Sequence, residues 1–327
     1  MIDPLELEDL HRRAEAGELS AMYSLGSLAV SGGAAGIAPR RGAHMLHDAA
    51  QRGDASSAHL LSVLAAAGVF GIANWHTALD HLAQAAELGS AYAQQQLVLL
   101  ASVKADAPRG WRALRERIDI QAWLTPPPKE VLSSAPRIRK ATGFLPAAAC
   151  DWLVWRANAR LEPAHAYEED CQAGLHDMRN NSEAVFGLLD TDLVMLLTQA
   201  RIAAITGVPQ AMMEAPRVFL YRPGEEFAPH HDYLDPHDPS VAQELDRNGQ
   251  RIVTFLLYLN DDYDGGETDF PLVQLRHRGA KGDALYFANT GEGDAPDHQT
   301  LHAGLPPTRG SKWLLSQWLR NRAAPRI

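Results

Sequence analysis

Cysteine is almost missing from this chain of 327 residues, which carries only Cys150 and Cys171. Two thiols cannot form a disulfide framework, and no Cys-x-x-Cys pair occurs. An excess of positive charge is missing too. Thirty Lys and Arg against 40 Asp and Glu leave a net charge of −10, which argues against a general nucleic-acid binder and leaves room only for a local basic groove. No uninterrupted apolar run approaches the roughly 20 residues that a membrane helix needs. The opening stretch "MIDPLELEDL" is acidic and lacks the basic and apolar regions of a secretory leader. These absences lead us to expect a cytoplasmic protein with neither a membrane nor a nucleic-acid partner. Its length suffices for one large domain or two ordinary ones.

The first hundred residues repeat. Gly17, Gly53 and Gly89 are spaced 36 apart, and the same period carries Leu25, Leu61 and Leu97, then Ala29, Ala65 and Ala101. "AAQRG" at 49–53 aligns with "AAELG" at 85–89. A fixed period of this size, rich in Ala and Leu with glycine between helical runs, predicts stacked helix-turn-helix units. The pattern resembles the SEL-type branch of tetratricopeptide-like repeats. That resemblance implies a concave face for a partner peptide or protein on residues 1–104.

Between 105 and 135 the pattern changes. "GWRALRERIDIQAWL" reads as one short helical run, and "TPPPKE" as a stiff extended connector. From 136 to 327 two helices are expected first, over 144–161 and over 190–207, the latter with Asp190 or Thr191 as its N-cap and Gly207 as its C-cap. Seven strand candidates follow: "RVFLYRP", "EFAPHHDY", "RIVTFLLYLND", "TDFP", "GDALYFAN", "QTLHAGL" and "KWLLSQWLR". Short strands separated by turns predict a sandwich or jelly roll. The fold class is therefore an α+β chain of two domains, a helical repeat array followed by a β-rich domain with supporting helices.

One of the strand candidates holds a possible metal pair. Residues two apart in an extended segment share a face, so His230 and Asp232 can converge on one ion while His231 points away. Chance supplies about one His-x-Asp in a chain of this composition, so the surroundings must decide. Four later histidines could complete a 2-His-1-carboxylate site: His237, His277, His298 and His302. The first three fall in charged, turn-rich or basic surroundings that suit solvated side chains. His302 lies in "QTLHAGLPPTRGSKWLLSQW", where a turn at 306–310 would fold a hairpin and bring Lys312 opposite or diagonal to it. Lys312 shares a strand face with Leu314, Ser316 and Trp318, and a lysine there is costly to bury without an anionic partner. Thr254 and Tyr258 share a face of a neighbouring candidate strand, from which the Tyr258 hydroxyl could reach the same anion.

In order along the chain, "VFLYRPGEEFAPHHDY", "GQRIVTFLLYLND", "GGETDFP", "GDALYFAN" and "TLHAGLPPTRGSKW" resemble the prolyl 4-hydroxylase group of Fe(II)/2-oxoglutarate-dependent dioxygenases. The resemblance covers residues 137–320 and implies a double-stranded β-helix (a cupin-like jelly roll). It implies that His230, Asp232 and His302 bind Fe(II), that Lys312 pairs with the C5 carboxylate of 2-oxoglutarate, and that Tyr258 bonds the same end. Tyr221 is expected in the pocket, Thr254 and Ser316 beside the cosubstrate, and Arg179 and Asn181, in a flap over 165–185, against the substrate. The implied reaction consumes O2 and 2-oxoglutarate, gives succinate and CO2, and uses ascorbate as a reductant. Its substrate would be a prolyl residue in a polypeptide recruited by the repeats. Alternatives are hydroxylation of a free amino acid or other small metabolite, or a silent repeat-bearing scaffold. The carboxylate of Asp232 disfavours a halogenase, and Lys312 disfavours a nucleic-acid demethylase.

Overall fold

The computed structural model describes residues 3–33, 36–102, 110–164 and 179–323. It divides into two compact units. One comprises Met1–Leu124, Leu188–Leu197 and Arg326–Ile327, and the other Thr125–Gly187 and Thr198–Pro325.

The first unit is helical, and its regularity is the 36-residue period made visible. Helices Pro4–Glu15, Pro39–Gln51 and Trp75–Glu87 alternate with Leu19–Val30, Ala55–Ala67 and Ala91–Leu100. Asp54, Asn74 and Ser90 cap the backbone N–H three residues on, as short polar side chains do at a helix start. Gly17, Gly53 and Gly89 follow the ends of the first helix of each pair with φ of 84°, 104° and 93°, the left-handed geometry that lets the chain reverse without a Cβ clash. The equivalent Ala49, Ala50, Ala85 and Ala86 are all buried. Gly26 and Gly42 let two helices meet backbone to backbone, since a Cβ on Gly42 would fall 2.5 Å from that of Ala29. The run over 110–124, expected as one helix, is two, Trp111–Glu116 and Ile120–Leu124. Asp119 splits it by accepting a bond from the Ala122 N–H and so starting the second. Among the described residues no helix is long and apolar enough to cross a membrane.

The second unit is a jelly roll whose described residues form two main antiparallel sheets and a two-stranded ribbon of Asp264–Gly265 with Pro307–Arg309. Among the described residues the larger has eight strands, in spatial order Glu130–Ser133, Ile138–Ala141, Ala284–Ala288, Arg251–Tyr258, Lys312–Arg320, Arg217–Tyr221, Ser182–Val185 and Glu162–Pro163. The smaller has four, in the order Leu275–His277, Thr268–Phe270, His302–Gly304 and Phe227–His230. From residue 217 onward the chain passes back and forth between the sheets. Strands 217–221, 251–258, 284–288 and 312–320 belong to the larger, and 227–230, 268–277 and 302–304 to the smaller. That winding is a double-stranded β-helix. Its core lies between the sheets, where Ile138, Leu256, Leu285, Phe287 and Leu314 pack with Tyr258 and Phe270.

All seven expected strands are present. The helix expected over 144–161 is Ala147–Asn158, begun at Pro146, and that expected over 190–207 is Leu193–Thr206. Its cap is Asp192, whose carboxylate accepts from the Met195 N–H, so neither Asp190 nor Thr191 takes that place. The expected hairpin is also corrected. His302–Gly304 pairs with Phe227–His230 and Thr268–Phe270, whereas Lys312–Arg320 pairs with Arg217–Tyr221 and Arg251–Tyr258. His302 and Lys312 therefore sit in different sheets. The intervening Pro307–Arg309 pairs instead with Asp264–Gly265 and carries the chain from one sheet to the other.

Candidate active site

The cleft lies between the two sheets, and strand pairing builds it. His302 and His230 are direct cross-strand partners, which sets their rings 4.3 Å apart. Asp232 follows two residues after His230, just past the strand end, and places its carboxylate between them. Its oxygens lie 3.5 Å from His230 Nε2 and 3.4 Å from His302 Nε2. Among the described residues these three are the group of His, Cys, Asp and Glu side chains able to close on one ion, with ligand atoms within 4.8 Å of one another. His231 turns the other way, towards Tyr233 and His298.

Both histidines are held in the same tautomer by the same device. His230 Nδ1 donates to the Ala228 carbonyl at 2.8 Å and His302 Nδ1 to the Thr300 carbonyl at 3.0 Å. A carbonyl only accepts, so each Nδ1 carries the proton and each Nε2 keeps its lone pair for the centre, the usual arrangement of a metal-binding histidine. Burial and the neighbouring His230 push His302 down to about 4. Burial alone would raise the Asp232 pKa, but His302, His230 and a hydrogen bond from Thr254 outweigh it and hold the carboxyl far below its ordinary range. The cluster thus turns two imidazole Nε2 atoms towards one carboxylate, a donor set that fits Fe(II) in a 2-His-1-carboxylate site.

The supporting contacts are specific. The Thr254 hydroxyl donates to Asp232 at 2.6 Å and in turn accepts from Asn289 at 3.0 Å, which fixes the carboxylate from the larger sheet. Phe227 stacks on the His230 ring, with centroids 3.5 Å apart and planes within 12°. Phe287 and Phe270 pack against His302.

Lys312 opens the larger sheet's last strand on the same cleft. Only 1 % exposed, it donates to the Gly266 carbonyl at 2.8 Å, and its ammonium lies over the Tyr221 and Tyr258 rings at 5.3 and 5.6 Å. Gly265 and Gly266 both have positive φ, 70° and 69°, and this glycine pair makes the turn that presents that carbonyl. An ammonium has three donors, and one carbonyl does not compensate a buried charge. Burial accordingly depresses Lys312 to about 7. An acid entering the cleft would supply the missing partner.

The other anticipated residues divide. Tyr221 and Ser316 line the cleft with Lys312. Thr254 acts through Asp232. Tyr258 is fully buried and directs its hydroxyl to Thr268 at 3.0 Å and the His277 carbonyl at 3.4 Å; it is Thr268 that lines the cleft. Arg179 is sandwiched against the Phe219 and Phe227 rings at 4.3 and 4.9 Å and bonds Asn181 and Glu183. It therefore backs the cleft wall, while the buried Asn181 accepts from it and donates to the Ser182 carbonyl. The rest of the expected flap, 165–178, lies outside the described residues. His277, expected to be solvated, is half-buried with its ring edge against Tyr258. Thr268, Phe227, Asn289 and Trp318 were not anticipated as site residues, although alternation from Lys312 already put Trp318 on the cleft face.

Residues 216–320 match the 2OG-Fe(II) oxygenase superfamily model. Prolyl 4-hydroxylase 1 of Arabidopsis thaliana is 31% identical over 209 residues, covering 59% of this chain and 72% of that protein. The chain belongs to the prolyl 4-hydroxylase family of 2-oxoglutarate- and Fe(II)-dependent oxygenases. A putative prolyl 4-hydroxylase of Acanthamoeba polyphaga mimivirus is 35% identical over 174 residues, 53% of this chain and 69% of that protein. Among solved structures, the viral collagen prolyl hydroxylase of Paramecium Bursaria Chlorella virus-1, crystallised with 2-oxoglutarate, is 26% identical and matches 55% of this chain and 94% of that one with a TM-score of 0.43. Membership makes this chain a 2-oxoglutarate-dependent dioxygenase, and the cofactors of that family are Fe(II) and 2-oxoglutarate.

Proposed function

We propose that this prolyl 4-hydroxylase family member hydroxylates a prolyl residue within a peptide or protein, with His230, Asp232 and His302 holding Fe(II) and Lys312 receiving the distal carboxylate of 2-oxoglutarate. The observation that carries the reading is the buried, under-satisfied ammonium of Lys312 in the same cleft as the two-histidine and carboxylate cluster. When bound, iron and 2-oxoglutarate supply the oxidation, which releases succinate and CO2 and places a hydroxyl on carbon.

The chain's own residues do the rest. The Ala228 and Thr300 carbonyls keep both Nε2 lone pairs inward, and Thr254, itself held by Asn289, aims Asp232. Tyr221, Ser316 and Thr268 shape the cosubstrate end around Lys312, and Phe227 and Trp318 wall the cleft. Residues 1–104 are proposed to recruit the polypeptide, which would raise the local concentration of the target. The polypeptide substrate is supported by the names of the relatives.

The test is anaerobic loading with Fe(II), then addition of O2, 2-oxoglutarate and a panel of proline-containing peptides. Succinate release coupled to a one-oxygen mass gain on proline, lost in His230→Ala, is the expected result. Succinate release with free amino acids alone would replace the polypeptide substrate by a small one. No succinate and no 2-oxoglutarate binding would remove the catalytic reading.

A further inference from the structure

A second cavity, of about 320 Å³, opens on the opposite face of the larger sheet from the catalytic cleft. Alternation along Ala284–Ala288 separates the two sites, since Phe287 packs on His302 while its neighbour Tyr286 lines this cavity. Ile252, Val253, Ala288 and Val208 give it an apolar floor. Its charge is unbalanced. Lys129, Arg137 and Arg139 border it, against the single carboxylate of Asp294, which already accepts from Asn321 at 2.7 Å.

Among the described residues the arginines bond only backbone carbonyls, Arg137 that of Thr290 and Arg139 those of Ser133 and Ile138. Neither they nor Lys129 has an ion-pair partner among the described residues, whereas the adjacent Lys140 pairs with Glu130. Arg139 stands directly across the strands from Tyr286. Tyr286 is only 7 % exposed, and its hydroxyl is buried without a hydrogen-bond partner. A buried hydroxyl left unmade is costly, and a partner for it is expected. Burial raises its pKa, so it remains a donor at neutral pH. In a chain of net charge −10, three uncompensated cations around a concave apolar floor concentrate positive potential in one place.

We infer that this cavity binds a small oxyanion carried on an apolar body, such as a phosphate monoester or an aromatic carboxylate. Arg137 and Arg139 take the oxyanion through charge-assisted bonds, the Tyr286 hydroxyl donates to it, and Val253 with Ile252 holds the apolar part. The site is separate from the catalytic cleft and independent of the reading given to it.

Phenyl phosphate and benzoate, titrated by calorimetry into the full chain, are suitable probes, with inorganic phosphate as the comparison that lacks an apolar body. Both organic probes should bind wild type and His302→Ala equally, and inorganic phosphate more weakly. Arg139→Gln should lower affinity about tenfold or more, the loss of one charged hydrogen-bonding partner, and Tyr286→Phe several-fold. Phenyl phosphate binding alone would place the ligand among phosphate esters, and benzoate alone among carboxylates. Unchanged affinity in Arg139→Gln, loss of binding in His302→Ala, or no heat at millimolar probe would overturn the proposal. If Arg139→Gln lowers the melting temperature, Tyr286→Phe decides. A several-fold loss at unchanged melting temperature upholds the site, and unchanged affinity removes it.

Discussion

The two sheets of the jelly roll face one cleft but contribute opposite kinds of chemistry to it. The smaller sheet places His230 and His302 side by side by direct strand pairing, and each ring is tied to a carbonyl two residues earlier in its own segment. Its precision is local. The larger sheet contributes Lys312, Thr254 and Asn289, whose partners lie 46, 22 and 35 residues away. Its contribution depends on the whole barrel being closed. The smaller sheet thus presents ring nitrogens suited to a cation, while the larger presents a buried cation suited to an anion. A metal and an acidic cosubstrate would meet both needs at once.

Breaking the smaller sheet's side should cost most. His302→Ala is expected to abolish metal-dependent turnover, a loss on the order of 10³-fold, because the metal provides several kcal/mol of charge stabilisation. Succinate assays beside direct iron quantitation check it, and retention of both iron and turnover would remove His302 from the ligand set.

On the larger sheet, Lys312→Met should separate function from stability. Affinity for 2-oxoglutarate is expected to fall about 10²-fold, while the cofactor-free protein gains about 1–3 kcal/mol because a buried, poorly compensated charge is removed. Urea unfolding and a 2-oxoglutarate titration measure the two effects. A variant that loses stability would mean that Lys312 is structural.

The same residue predicts a pH dependence. Lysine's ordinary value of 10.5 is depressed to about 7 in the fold. Between about pH 7 and pH 10 the unfolded chain therefore holds a proton that the native chain has released, and this group makes stability rise with pH across that window. Cosubstrate affinity runs the other way and declines above about pH 7, because the anion needs the protonated ammonium. Melting temperature and 2-oxoglutarate affinity followed from pH 6 to 9 should show these opposite slopes in wild type, and neither in Lys312→Met.

Thr254→Val should have the smallest effect, lowering iron affinity by about 10- to 100-fold as for other residues that orient a metal ligand, with little change in cosubstrate affinity at saturating iron. An equal loss of both would show that the two sheets are less separable than their contacts suggest.

Much of this was legible in the residues. The 36-residue period and the seven strands follow from short-range rules, and local spacing is all those rules need. Alternation also placed Lys312, Leu314, Ser316 and Trp318 on one face, and all four line the cleft. Where an expectation depended on which strands pair, it went astray. The His302–Lys312 hairpin looked natural in sequence, yet the chain crosses between sheets at Pro307–Arg309. Tyr258 and Thr254 share a face, and the fold directs one hydroxyl to Thr268 and the other to Asp232.

The sequence by itself therefore determined the two kinds of architecture, the His-x-Asp pair with its later histidine, and the presence of a strand lysine in need of an acid. The tertiary structure decided what those residues do for one another. Only sheet closure brings His302 against His230, fixes both tautomers, sets Thr254 and Asn289 behind Asp232, and buries Lys312 where burial lowers its pKa. Hydrogen bonding and desolvation act over a few ångströms of space, and in a jelly roll that distance spans tens of residues of chain.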